Sequence, residues 1–422
     1  MQLIANEKII DIMEQTLNHV DARLINHGKR VAYLIYKVLK QQSGFDAKQL
    51  HDICILSMLH DVGAYKTEEI DKMVIFETRD VWDHSIYGYL FLNYFSPLKN
   101  LAPAILFHHA ECDAIEYLED PAHKVLAQLI SLCDRADVFS LHGGGDAAFR
   151  AYMDKYRDIK YRGDIVDMFH AANINIDNIF GSIDSDKPFN DIFRGMPLTE
   201  DEVGGYIKMI IYSIDFRSSQ TVIHTVSAAC IAGILASMTG ADENDIIKVR
   251  TGAMLHDIGK VGIPLHILES TGKLSDSDMK VMMTHVDFTE KILDGNVNDD
   301  IKRIAVRHHE KLNGTGYPKH LDFNDITCFE RIVSIADIFS ALCGTRSYKG
   351  AYPKEKVIGI LSDMSGKNLI DSHIVSLAID NFDTIIELLE TEVKPIIDIY
   401  YAMDRENLQM RDKIRNADYA LI

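Results

Sequence analysis

The sequence is poor in the features that would take a chain into a membrane, out of the cell or onto a nucleic acid. No apolar run in its 422 residues approaches the roughly 20 that a bilayer-spanning helix needs. The opening segment MQLIANEKIIDIMEQ brings acidic residues early and has no long apolar stretch, so it is not expected to be a secretion signal. Cysteine is sparse and scattered: the six, at 54, 112, 133, 230, 328 and 343, form no Cys-x-x-Cys pair. They are expected to be reduced, mostly buried thiols, which suits a cytoplasmic protein and sets thiolate metal sites aside. Positive charge is also short, with 44 Lys and Arg against 63 Asp and Glu and a formal net charge of -19. A polymeric nucleic acid would be repelled by that field, whereas a small anion could still bind through metal ions or a local basic pocket.

Period-2 alternation is equally scarce, so few strands are expected. Helical periodicity is present instead: HGKRVAYLIYKVLKQ and HTVSAACIAGILASM both space apolar residues as helices do. The expectation is an all-α protein, and the length suits two domains better than one core.

Histidine is abundant, and its order carries the information. The first half runs His27, His60-Asp61 in LHDVG, His84, His108-His109 in FHHAE and Asp134 in LCDRAD. The second half runs His224, His256-Asp257 in LHDIGK, His285, His308-His309 in RHHEK and Asp337 in SIADIF. Corresponding gaps differ by a few residues, and SMLHDVG echoes AMLHDIG as DVFSLHGG echoes DIFSALCG. Five matches in order predict a duplicated helical domain. The segment 181–205, rich in glycine, proline and acids, reads as the linker, giving domains 1–185 and 205–422. The stretch from Phe382 to about Ile414 reads as long helix interrupted at Pro395. It is expected to close its own domain, with homodimerisation as the alternative.

These residue types in this order suit divalent metals. An imidazole binds through one nitrogen, and a carboxylate can lie between two ions. His256 and Asp257, as helix neighbours, would diverge by roughly 100°, yet both reach a two-metal centre if Asp257 sits between the ions. His224 and Asp337 would complete one shell, and His285, His308 and His309 the other. Such nitrogen-rich ligands with carboxylates fit iron or manganese. Two ions a few ångströms apart acidify a water and stabilise oxygens at phosphorus, the requirement of phosphoester hydrolysis. Lys260, one turn after Asp257, is placed for a phosphate contact. His51, His123, His142, His170, His266, His320 and His373 stand outside the ordered set and are assigned no role.

LHDIGK followed by HHEKLNGTGYP resembles the HD-GYP family, a branch of the HD superfamily of metal-dependent phosphohydrolases. The likeness covers about residues 205–395, and the first half resembles a plain HD domain. The resemblance implies an all-helical fold and hydrolysis of a cyclic dinucleotide, cyclic di-GMP or the mixed cyclic GMP-AMP. It places metal ligands at His224, His256, Asp257, His285, His308, His309 and Asp337, and the family lysine at Lys260. It places ligand contacts at Arg346 and Lys349 in TRSYKG and a substrate-side turn at Gly316, Tyr317 and Pro318. Gln220 stands where some members carry a third-metal glutamate, so two metals are expected. Hydrolysis of other nucleotides, or cyclic-dinucleotide reception without turnover, are the alternative functions.

The first half keeps a full set, His27, His60, Asp61, His84, His108, His109 and Asp134, with Asp137 a rival to Asp134. It lacks the Gly-Tyr-Pro turn, and Ala64 stands where Lys260 would be, with Lys66 nearby. A second metal site is expected there, in a nucleotidase, a regulatory module or a decayed copy.

Overall fold

Short polar residues start many of the helices. Asp46 forms a capping box with Gln49, Asp120 precedes Pro121, and Asp242 and Asp371 accept from backbone N–H groups of the next turn. The apolar stripes between these caps then fix how the helices pack. The structure, a computed structural model, describes residues 4, 6–19, 26–64, 82–142, 144–216, 223–270, 272–343 and 352–416. Among them there is no β-strand, only isolated bridges such as Asn313 with Asp322. The all-α expectation holds. No described helix is long and apolar enough to cross a membrane.

The chain divides into two units, one mainly Ile9–Ser213 with residues from Met403 on, the other mainly Ile214–Ala402. In the N-terminal unit the helices that matter are α1 (His27–Leu39), α2 (Ala47–Met58), α3 (Trp82–Phe95), α4 (Ala102–Leu106) and α5 (Pro121–Leu141). Helix α1 packs on α2 and α5, and α4 packs on α3 and α5. Fully buried Tyr36, Phe91, Phe149, Phe169, Phe189 and Phe193 fill the unit. Each such side chain contributes about 1.5–3 kcal/mol of burial.

Two of those phenylalanines correct the linker expectation. Residues 187–193 form α6 (Lys187–Phe193), and α7 (Glu200–Asp215) follows, so the boundary falls after Ser213 rather than within 185–205. The proline and acid that read as breakers are start signals: Asp186 accepts from the Phe189 N–H at 3.2 Å, and Pro188 sits in the first turn.

The C-terminal unit is built on α8 (His224–Met238), α9 (Glu243–Leu255), a 3₁₀ turn (Ile258–Gly262), α10 (His285–Leu293), α11 (Asp299–Val306) and α12 (Cys328–Cys343). Helix α8 is apolar all round and is clasped by α9 and α12. Ile231, Leu235, Val249, Ile332, Phe339, Leu361 and Ile374 form the shared core. The final helix, α13 (Phe382–Arg415), runs through Pro395 without a break. Thr391 and Pro395 are both exposed, so the carbonyl that loses its N–H partner faces solvent. From Met403 on this helix groups with the N-terminal unit, so it does not simply close its own domain. There Arg411 donates to Asp83 at 2.6 Å, and Tyr94 donates to Glu406.

The cysteines are free. Cys54, Cys133 and Cys230 are buried, Cys112 and Cys343 half-buried, and Cys328 exposed.

Candidate metal centres

Helix ends deliver the side chains. In the C-terminal unit His224 opens α8 and His285 opens α10, His256-Asp257 follows α9, His308-His309 follows α11, and Asp337 lies within α12. The His-Asp pair is therefore not on a continuous helix, as its sequence suggested. His256 caps α9 and Asp257 begins the 3₁₀ turn, and this break turns both side chains to one side.

Asp257 stands between two histidine sets. Its Oδ2 lies 3.0 Å from His256 Nε2 and 3.5 Å from His224 Nε2, and its Oδ1 lies 3.4 Å from His285 Nε2 and 4.0 Å from His308 Nε2. Asp337 Oδ1 is 3.1 Å from His224 Nε2, and its Oδ2 is 3.8 Å from His309 Nδ1. The N-terminal unit repeats the design. Asp61 Oδ2 faces His60 at 3.2 Å and His27 at 3.6 Å, and its Oδ1 faces His84 and His108 at 3.8 Å each. Asp134 Oδ1 lies 3.4 Å from His27 Nε2, and His109 Nε2 lies 3.0 Å from His84 Nε2.

Backbone carbonyls aim the rings. Nδ1–H donates to the carbonyl three residues earlier in His60, His108, His256, His285 and His308, at 2.6–2.8 Å. A carbonyl only accepts, so the proton is fixed on Nδ1 and the Nε2 lone pair points inward. Inside, Nε2 of His60, His108 and His256, both Asp61 oxygens and Asp257 Oδ1 are buried and make no hydrogen bond. Buried polar atoms left this way are costly. Their donor set of imidazoles and carboxylates fits divalent metal ions, and each unit holds two groups of such ligands within mutual reach.

The charges agree. Burial pushes the Asp257 carboxyl up, but His256, Lys260 and His224 hold it well below the usual carboxylate range. Asp61 is lowered likewise against its burial, by His60, His108 and His84. Burial drives His309 down to about 3. Burial also lowers His224, but Asp257 and Asp337 overcome it and raise that imidazole to about 9.

The units differ beside the clusters. The Lys260 ammonium sits on Asp257 Oδ2, whereas buried Ala64 occupies the matching place. The turn after His309 exists only in the C-terminal unit. Tyr317, joined to Pro318 by a cis peptide bond, lays its ring 4.7 Å from that of His309. Gly314 takes a positive φ of 75°, which glycine adopts without strain. Gly316 serves a different end: a Cβ there would meet Glu310 Cα and Lys311 N at 2.4 Å.

Sequence reasoning missed several supporting residues. Glu310, 2% exposed, accepts from the Lys319 and Leu321 N–H groups at 2.7 and 3.0 Å and so straps the turn down. The Thr289 hydroxyl accepts from Gly259 N–H and donates to the His256 carbonyl, clamping the His-Asp turn. Asp137 is no rival ligand to Asp134, because it holds the outer nitrogen of His27 at 2.7 Å. Its counterpart is Ser340, and the common offset of three from Asp134 and Asp337 was the available signal. Lys66, Gln220, Arg346 and Lys349 lie outside the described residues.

Fold and clusters can now be set beside known proteins: residues 208–374 match the family model described as HD domain. The chain is 36% identical over 151 residues to 3'3'-cGAMP-specific phosphodiesterase 3 of Vibrio cholerae, covering 36% of this chain and 33% of that one. It is 25% identical over 393 residues to 3'3'-cGAMP-specific phosphodiesterase 1 of the same organism, covering 87% and 89%. A cyclic di-GMP phosphodiesterase of Thermotoga maritima is 33% identical over 156 residues, covering 36% and 42%. The first relative is thus matched over only a third of its length. The solved structure of a cyclic GMP-AMP specific phosphodiesterase of V. cholerae has the same fold, with a TM-score of 0.56 over 89% of this chain and 97% of that one, at 17% identity.

Proposed function

We propose that the C-terminal unit is a metal-dependent phosphodiesterase that opens a cyclic dinucleotide to its linear form. The observation that carries this is Asp257, shared between two histidine sets, with its Oδ1 and the His256 Nε2 buried and making no hydrogen bond, beside the strapped Gly-Tyr-Pro turn. The relative matched along most of its length favours 3',3'-cyclic GMP-AMP over cyclic di-GMP. Iron or manganese, two ions per C-terminal centre, suits the ligands His224, His256, Asp257, His285, His308, His309 and Asp337. Bound there, the ions would supply an acidified water and neutralise charge developing at phosphorus. The chain's own residues do the rest. Asp257 presents one carboxylate oxygen to each histidine set, and Lys260 brings an ammonium beside them for the phosphate. Tyr317 and Gly316 wall the site next to His309, and Arg346 and Lys349 are assigned to the rest of the ligand.

The N-terminal unit is assigned a second metal centre at His27, His60, Asp61, His84, His108, His109 and Asp134. Without the turn and the lysine, it suits a 5'-nucleotidase acting on the linear product, or a regulatory module. Self-association through α13 is a separate proposal, supported by the half-exposed Tyr401 and Leu408 and checked by light scattering.

The deciding experiment is incubation of manganese- or iron-loaded protein with each cyclic dinucleotide, followed by chromatography. Linear dinucleotide is expected, and Asp257→Ala abolishes it. No product from either substrate overturns the reading, and binding without turnover makes the chain a receptor. Asp61→Ala should remove only a second, dephosphorylated product. An unchanged profile assigns the N-terminal unit to regulation.

A further inference from the structure

The two units aim their first histidine differently. Where His60, His108, His256, His285 and His308 lean on backbone carbonyls, His27 and His224 lean on side chains. His27 Nδ1–H donates to Asp137 Oδ2 at 2.7 Å. Asp137 is fully buried, and Arg30 grips it with a two-pronged pair, Nε to Oδ1 at 2.6 Å and Nη2 to Oδ2 at 2.9 Å. Arg30 is itself 5% exposed. The guanidinium keeps that carboxylate ionised and fixed in the ring plane's reach. In the C-terminal unit the partner is a neutral hydroxyl. Ser340 Oγ donates its one proton to the Asp337 carbonyl at 2.8 Å, so it can only accept from His224 Nδ1–H, at 3.0 Å. The residue matching Arg30, three after His224, is Ser227, which cannot supply a charge.

A carboxylate behind an imidazole makes the opposite nitrogen a stronger donor, and a hydroxyl does so less. We propose that Asp137, positioned by Arg30, makes the N-terminal centre the tighter metal site, and that Ser340 leaves the ion at His224 more weakly held. Asp137 is a positioning residue: it acts on the ion grouped with His27, His60 and Asp134 without touching it. The chain would then load its two units in a fixed order, the N-terminal one first. At limiting metal the His224 side of the proposed phosphodiesterase centre stays empty while the His27 side of the N-terminal centre fills. This rests on the reading that both clusters hold metal.

The test uses the full chain, stripped with a chelator and titrated with Mn²⁺, with free Mn²⁺ read by electron paramagnetic resonance. Wild type should show a tighter and a weaker class of site. Asp61→Ala should delete the tighter class and Asp257→Ala the weaker. Asp137→Ser should weaken the tighter class by about 10- to 100-fold and leave the weaker class alone. Asp137→Asn keeps the shape and an acceptor oxygen but not the charge. It should move the same class in the same direction, and it carries the test if the serine variant fails to fold by circular dichroism. Wild-type affinity in the asparagine variant, or in a folded serine variant, overturns the proposal, as does a tighter class that Asp257→Ala removes. If Asp61→Ala removes no site at all, the N-terminal metal reading itself has failed, a separate and recognisable outcome.

Discussion

Replacing Glu310 with alanine cuts the strap that holds the Gly-Tyr-Pro turn against the histidine cluster. The buried carboxylate accepts two backbone N–H groups, from Lys319 and Leu321. Hydrogen bonds to a charged group are worth about 1.5–3 kcal/mol each, which sets an upper range of about 3–6 kcal/mol. Lys319 is exposed and Leu321 half-buried, so water recovers part of the loss. The expectation is therefore a destabilisation of about 2–3 kcal/mol. Glu310→Gln keeps one neutral acceptor and should lose about 1 kcal/mol. The chain offers a clean reporter, because its single tryptophan, Trp82, lies in the N-terminal unit. Urea unfolding followed by circular dichroism should show the C-terminal transition moving to lower denaturant, while the Trp82 fluorescence transition stays in place. Below that transition, kcat/KM for the proposed cyclic-dinucleotide substrate should fall about tenfold or more, the equivalent of about 1.4 kcal/mol. Metal content should not change, because the Ala305 carbonyl aims His308 independently of the strap. A Glu310→Ala protein with wild-type unfolding and wild-type kcat/KM would refute the claim that this carboxylate positions the turn.

Three further outcomes follow from the geometry. Gly316→Ala forces a Cβ into the Glu310–Lys311 backbone, so kcat/KM should fall by more than tenfold with metal content retained, read by kinetics and elemental analysis. Metal loading should release protons below about pH 9, because His224 is imidazolium in the metal-free protein and must present a bare Nε2. Affinity then rises with pH up to that point, and calorimetry in buffers of different ionisation enthalpy counts the protons; no proton release at pH 7 contradicts it. Burial raises the Asp215 carboxyl to about 7. The folded state thus binds that proton more tightly than the unfolded chain, and metal-free stability should fall as pH climbs from about 4 to about 7. Asp215→Asn should flatten that decline in denaturation midpoints taken across the range.

The helical class and the duplication were legible because apolar spacing and ligand order survive in a one-dimensional string. The seven side chains that gather in each unit's cluster stand out in the sequence for the same reason. What escaped was whatever depends on who supports whom across the fold. Asp186 and Pro188 read as chain breakers, yet the buried Phe189 and Phe193 behind them make the same residues a helix start. Pro395 read as an interruption, but an exposed carbonyl tolerates the missing donor. Asp137 looked like a spare ligand, since only the third dimension places it on the far side of the His27 ring. Glu310 was invisible because its partners are backbone groups, which no side-chain pattern announces.

The glycine that follows each His-Asp pair has a mechanical consequence. A Cβ at Gly63 would fall 1.9 Å from the His84 carbonyl oxygen, and one at Gly259 would fall 2.0 Å from the His285 carbonyl oxygen. Main chain therefore touches main chain where the two halves of each ligand set meet, with only a hydrogen atom as the gasket. The distance between those halves is set by peptide groups, which do not change rotamer, rather than by side chains, which do. The frame is thus cast before any ion arrives. The two units thus share one seat although only the C-terminal one has the turn and the lysine beside it.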